Sequence, residues 1–148
     1  MDGYGNPFTD FYSNCGEDIL GGYGKVPIMS RISREYVGLP AHNIIYFRFT
    51  LYAIDSWTDY DGITLDIDDG VIMFIFQFDA STFPSNLCGG PANDDIYTIS
   101  GEVRHTESSL PFTIVADFES DPTIETFGVR NLQIKTGTKG PGPLLLTV

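Results

Sequence analysis

Six carboxylates crowd into residues 55–69 of this chain: Asp55, Asp59, Asp61, Asp66, Asp68 and Asp69, with no Lys or Arg among them. Like charges held this close repel, and a hard cation with oxygen ligands relieves the repulsion. Calcium suits the pattern best as a cofactor, because it takes about six to eight oxygens from flexible loops. Asp55, Asp59 and Asp61 fall in a strand connection and rank first as metal ligands. Asp66 and Asp68 rank second; they share one face of the following strand, since residues two apart point the same way. The pattern is not an EF-hand, whose loop of about 12 residues ends in Glu. A plainer reading stands beside this one, in which these Asp residues cap turns and solvate an exposed sheet face. Asn93-Asp94-Asp95 reads as a turn.

Trp57, the single tryptophan, sits within this acidic stretch next to Tyr60. An aromatic face beside carboxylates can stack on a sugar ring while the oxygens bind its hydroxyls. Trp57 and Tyr60 are therefore the candidate ligand-binding pair of a calcium-dependent carbohydrate-binding module. The favoured alternative for Trp57 is that it closes the end of the core. No catalytic residue is assigned. HExxH, GxSxG, P-loop and GxGxxG signatures are absent, and His42 and His105 have no nucleophile beside them in sequence. With 20 acids, a carboxylate pair at glycosidase spacing arises by chance. The chain reads as a non-enzyme.

The two cysteines, Cys15 and Cys88, have no CxxC neighbour, which excludes a zinc knuckle or a thioredoxin-type motif. One disulfide tying the N-terminal segment to the 84–92 loop is favoured over two unrelated buried thiols.

These residues must be carried by strands, because the dominant rhythm of the chain is period two. From Asn43 to Ile54, Ile45, Phe47, Phe49, Leu51 and Ala53 alternate with Tyr46, Arg48, Thr50 and Tyr52. Further strands are predicted at 63–67, 71–78, 96–104, 110–118 and 126–135, with a weaker one at 26–33. The 71–78 run is apolar at nearly every position, which predicts a central strand covered on both faces. Helical spacing is unconvincing everywhere; only 33–36 could make a short turn. The spacing of strands and turns predicts an all-β antiparallel β-sandwich, jelly-roll-like in topology. Residues 1–14 form an aromatic, Gly-rich segment, 15–136 the sandwich, and 137–148 a Gly/Pro linker leading to an apolar end, Leu144 to Val148, whose favoured place is an edge strand of its own sheet, the alternative being insertion into a neighbouring subunit.

Length and charge bound the partners. At 148 residues the chain is one domain, and its formal charge of −12 argues against nucleic acid and anionic lipid surfaces. No apolar run approaches the roughly 20 residues of a membrane span, so no membrane insertion is expected. Residues 1–10 lack the basic start of a leader peptide. Cations, glycans and other proteins remain.

Cys15-Gly16, Ile19-Leu20-Gly21-Gly22-Tyr23, Leu39-Pro40-Ala41-His42 and Ile54-Asp55-Ser56-Trp57 occur in that order. Asn86-Leu87-Cys88-Gly89 and Thr126-Phe127-Gly128-Val129 follow. Together they resemble a lectin-like β-sandwich module of the large cysteine-rich surface proteins of ciliated protists, over about residues 15 to 135. The resemblance implies an extracellular, non-enzymatic module, and it supports pairing Cys15 with Cys88. The chain departs from it at Thr58 and Tyr60, where acidic or amide side chains are usual, and at Thr126-Phe127, which replaces a Ser-Trp. The cysteine-rich repeats that follow in such proteins are missing. With both ends apolar or aromatic, the leading expectation is a structural, self-associating subunit of an extracellular or cell-surface assembly, filaments included. Its partners would be copies of itself or other surface proteins, through Met1 to Tyr12 and Leu144 to Val148.

Overall fold

The computed structural model describes residues 12–25, 31–58, 61–70, 72–117 and 125–148. Within these, ten strands and one 3₁₀ turn (Ala80–Thr82) follow one another. The strands are β1 Tyr12–Asn14, β2 Asp18–Gly21, β3 Arg31–Tyr36, β4 Ile44–Asp55, β5 Gly62–Ile67, β6 Ile72–Gln77, β7 Asp95–Arg104, β8 Leu110–Asp117, β9 Glu125–Gly137 and β10 Leu146–Thr147. They form a six-stranded sheet, β1-β2-β9-β4-β7-β10, and a four-stranded sheet, β3-β8-β5-β6. All pairs are antiparallel. The pairing is nested: β5 with β6, β4 with β7, β3 with β8 and β2 with β9. A chain folded double about the 68–70 turn and then rolled gives this order, so the sandwich is a jelly roll.

Period two explains the layers. From β4, Ile45, Phe47, Phe49, Leu51 and Ala53 enter the core and meet Ile63, Leu65 and Ile67 of β5 and Phe112 and Ile114 of β8. Phe49 sets its edge against Phe112 at 6.4 Å between ring centres. On β9 the inward residues change parity, from Phe127 and Val129 to Leu132 and Ile134. The β4–β9 register shifts between Arg48 and Thr50, and Asn131 adopts a φ of 55°. A β-bulge thus absorbs one residue and keeps both halves of the strand facing the core.

Three expectations change. β6, expected to be central, is an edge strand. It is the second arm of the innermost hairpin, so β5 takes the place beside β8 and β6 is left at the rim. Residues 33–36 belong to β3 and make no separate turn. The Gly/Pro stretch after β9 is pinned rather than a free linker. Asn43 donates to Lys139 O at 3.0 Å and accepts from Lys139 N at 2.8 Å, while Arg104 donates to the carbonyls of Lys139 and Gly140 at 2.9 and 2.6 Å. The strap then returns to its own sheet as β10, beside β7.

Candidate functional site

The acidic stretch does not converge on one point. β5 rises roughly 3.3 Å per residue, which sets Asp61 and Asp68 about 20 Å apart at its two ends. Asp66 and Asp68 therefore cannot complete a calcium site with Asp55 and Asp61. Each is used locally: Asp66 accepts from Gly70 N at 2.6 Å and closes the β5–β6 turn, and Asp68 faces His105 at 4.0 Å. Asp59 and Tyr60 lie outside the described residues. Among the described residues no group of three or more His, Cys, Asp or Glu is placed to hold a metal.

Asp55 and Asp61 are buried instead. Asp61 accepts from Thr58 N at 2.6 Å. Asp55, at the end of β4 with a φ of 70°, accepts from Gly90 N at 2.8 Å. Burial pushes its carboxyl above the ordinary value; the Gly90 N–H opposes this and the charge of Asp94 adds to it. Asp94, read in sequence as a turn residue, is the hub of this corner. Its carboxylate accepts from Asp55 N, Leu87 N and Cys88 N at 2.7, 2.7 and 2.9 Å. Only fold-dependent contacts reveal that role.

Trp57 is 4% exposed, and its indole N–H donates to Thr126 O at 2.8 Å. Its ring packs on Phe78 and Phe83. A ring enclosed this way has no face for a sugar, and Trp57 closes the end of the core. The disulfide joins Cys15 to Cys88, with Cα atoms 5.1 Å apart. It roofs Ile19, Tyr52 and Ile54 on the outer side of the six-stranded sheet. His42 and His105 stack and share a 2.8 Å hydrogen bond. His42 Nδ1 donates to Pro40 O at 2.6 Å, so the hydrogen between the rings belongs to His105 Nδ1. The pair ties the 40–43 corner to the end of β7, and among the described residues no Ser, Thr or Cys side chain hydrogen-bonds to either ring.

What the fold leaves open is one flank. β6 pairs with β5 and, among the described residues, with no other strand. Ile72, Phe74 and Phe76 turn inward, while Met73 and Ile75 stand 56% and 70% exposed. β10 ends the other sheet on the same flank: Phe74 meets Phe47 at 6.1 Å, and a Cβ at Gly101 would touch both Phe47 and Leu146. Leu144, Leu145, Leu146 and Val148 are all exposed there. Residues 72–78 and 140–148 hold no charged side chain, in a chain of net charge −12. The opposite flank, at β1, β2 and β3, carries Asp18, Arg31, Arg34 and Glu35. A free, uncharged, apolar edge can accept a further strand.

No family model matches the chain, and no curated protein or solved structure matches it either. Among the described residues no helix is long and apolar enough to cross a membrane.

Proposed function

We propose that this protein is a non-catalytic structural subunit that self-associates through its β6 flank, in an extracellular or cell-surface assembly. One observation carries the reading: a strand composed for burial on both faces lies at a sheet edge with Met73 and Ile75 in the open. Natural edge strands are kept monomeric by charges, proline, bulges or shortness. β6 has six residues and none of these protections. β3, the other edge of the same sheet, carries Arg31, Arg34 and Glu35.

Antiparallel pairing of β6 with β6 of a second copy satisfies the edge N–H and C=O groups of both. It sets each residue against the two-fold axis, with Met73 of one copy facing Ile75 of the other when Phe74 lies on the axis. Such an isologous contact closes as a dimer, and growth beyond it requires a further, different surface. The disulfide suits an oxidising compartment such as the cell exterior.

Sedimentation velocity over a concentration series tests this. Wild type is expected to pass from monomer to dimer, and Ile75→Lys to remain monomeric with unchanged circular dichroism, because the side chain is outside the core. A wild type that stays monomeric throughout, or an Ile75→Lys dimer as tight as wild type, overturns the proposal.

A further inference from the structure

The outer face of the six-stranded sheet has the opposite electrostatic character to the molecule as a whole. Of eight Lys and Arg residues, five (Arg48, Arg104, Arg130, Lys135 and Lys139) stand on that face or on the strap beside it. Register places two rows across the sheet there. Lys135, Tyr46 and Glu102 form one; Gln133, Arg48, Ser100 and Thr147 form the next. Together they line a recess of about 280 Å³, walled on one side by β10.

Three of the five cations are already committed. Arg104 is spent on the strap carbonyls, and Arg130 pairs with Glu17 at 3.0 Å. Lys139 neutralises Glu102, the one acid in the floor of the recess. Arg48 and Lys135 are exposed, and among the described residues neither has an ion-pair or hydrogen-bond partner. They are diagonal neighbours on one sheet face, within mutual reach of long side chains. Tyr46 sits directly opposite Lys135 and two residues before Arg48 on β4, and it leans onto β9, where a Cβ at Gly137 would stand 2.7 Å from its ring. A side chain at position 137 would push the ring away.

We propose that this recess binds an acidic saccharide, a sugar ring bearing a carboxylate or a sulfate. Tyr46 offers an aromatic surface to the ring. Arg48 and Lys135 hold the anionic group, Arg in the forked geometry that matches carboxylate or sulfate oxygens. Gln133, Ser100 and Thr147 supply donors and acceptors for hydroxyls. A neutral sugar would desolvate two cations without compensation, so charge sets the selectivity. A long polyanion such as nucleic acid would meet the acidic remainder of the surface and be repelled.

Calorimetric titration of the full chain tests this, with a galacturonate disaccharide and a sulfated disaccharide against their neutral parents and against inorganic sulfate. At least one acidic disaccharide is expected to bind about tenfold or more tightly than its neutral parent and than sulfate alone, a difference of about 1.4 kcal/mol. Arg48→Gln and Lys135→Gln are each expected to weaken binding about tenfold, whereas Arg34→Gln on the opposite flank leaves it unchanged. Ile75→Lys is expected to bind like wild type, which separates this site from the β6 contact. Absence of heat with both acidic disaccharides, equal binding of the neutral parents, sulfate binding as tight as the saccharides, or indifference to Arg48→Gln overturns the proposal.

Discussion

Removing the disulfide should cost this fold more than any surface change, and the loss should arise in the unfolded chain. Cys15 and Cys88 are 73 positions apart. Closing a loop of that length removes chain entropy worth about 4.4 kcal/mol at room temperature. The native corner keeps its other ties: Asp94 still accepts from Leu87 N and Cys88 N, and Ile19, Tyr52 and Ile54 still pack together. Cys15→Ala with Cys88→Ala is therefore expected to fold natively and to lose about 3 to 5 kcal/mol. In a domain of this size that is a fall in Tm of roughly 10 to 15 °C. Guanidinium denaturation of wild type, reduced wild type and the double variant provides the measurement. The two thiol-free or reduced forms should agree, and their m values should exceed that of oxidised wild type, since an uncrosslinked unfolded chain exposes more surface. A loss below about 1 kcal/mol with an unchanged m value would refute the loop-entropy reasoning.

The strap should loosen in acid. The hydrogen bond from Lys139 holds the Glu102 carboxyl below the ordinary Glu value of 4.5, so its contribution is complete above that value and is lost as pH falls through the lower folded value. Amide exchange over 138–147 is expected to quicken relative to the β4–β9 core in that window, and Glu102→Gln to abolish the pH dependence; identical profiles for both proteins would exclude the mechanism. On the flank, Leu145→Lys is expected to weaken dimerisation alongside Ile75→Lys, read by the same sedimentation series. A Leu145→Lys dimer of wild-type affinity would confine the contact to β6.

The architecture is legible in the chain because core-facing residues on a strand recur at every second position, and the core members of β4, β5, β7 and β8 keep one parity along each strand. β9 is less readable: its bulge at Asn131 swaps the inward parity midway, so Phe127 and Ile134 both face the core from positions of opposite parity. Two cysteines in turn-like, Gly-rich surroundings suggested one bridge, and the fold closes it. The acidic stretch spreads out in the fold for a geometric reason. Density of Asp in sequence does not survive a strand, which carries its two ends far apart. Asp94 was hidden for the complementary reason, since its three donors come from residues 6, 7 and 39 positions away. The recess on the six-stranded sheet combines residues from β4, β7, β9 and β10, so no local motif announces it.

The misplacement of β6 carries the most information. Its composition calls for cover on both faces, and within one chain that cover is missing from Met73 and Ile75. Pairing two copies through β6 would make one continuous eight-stranded sheet with β6 at its centre, where its composition belongs. Magnitudes limit how tight such a contact can be. Burying the exposed parts of Met73 and Ile75 from both copies contributes about 5 kcal/mol, and association costs about 4 to 15 kcal/mol. Those four side chains cannot hold a dimer unaided. Main-chain hydrogen bonds along the two edges contribute the next increment, and Leu144, Leu145 and Leu146 stand on the same flank to extend the buried area. The β10 segment thereby acquires a reason to be apolar although it is tied to its own sheet: its inner side completes the core edge over Gly101, and its outer side widens the contact.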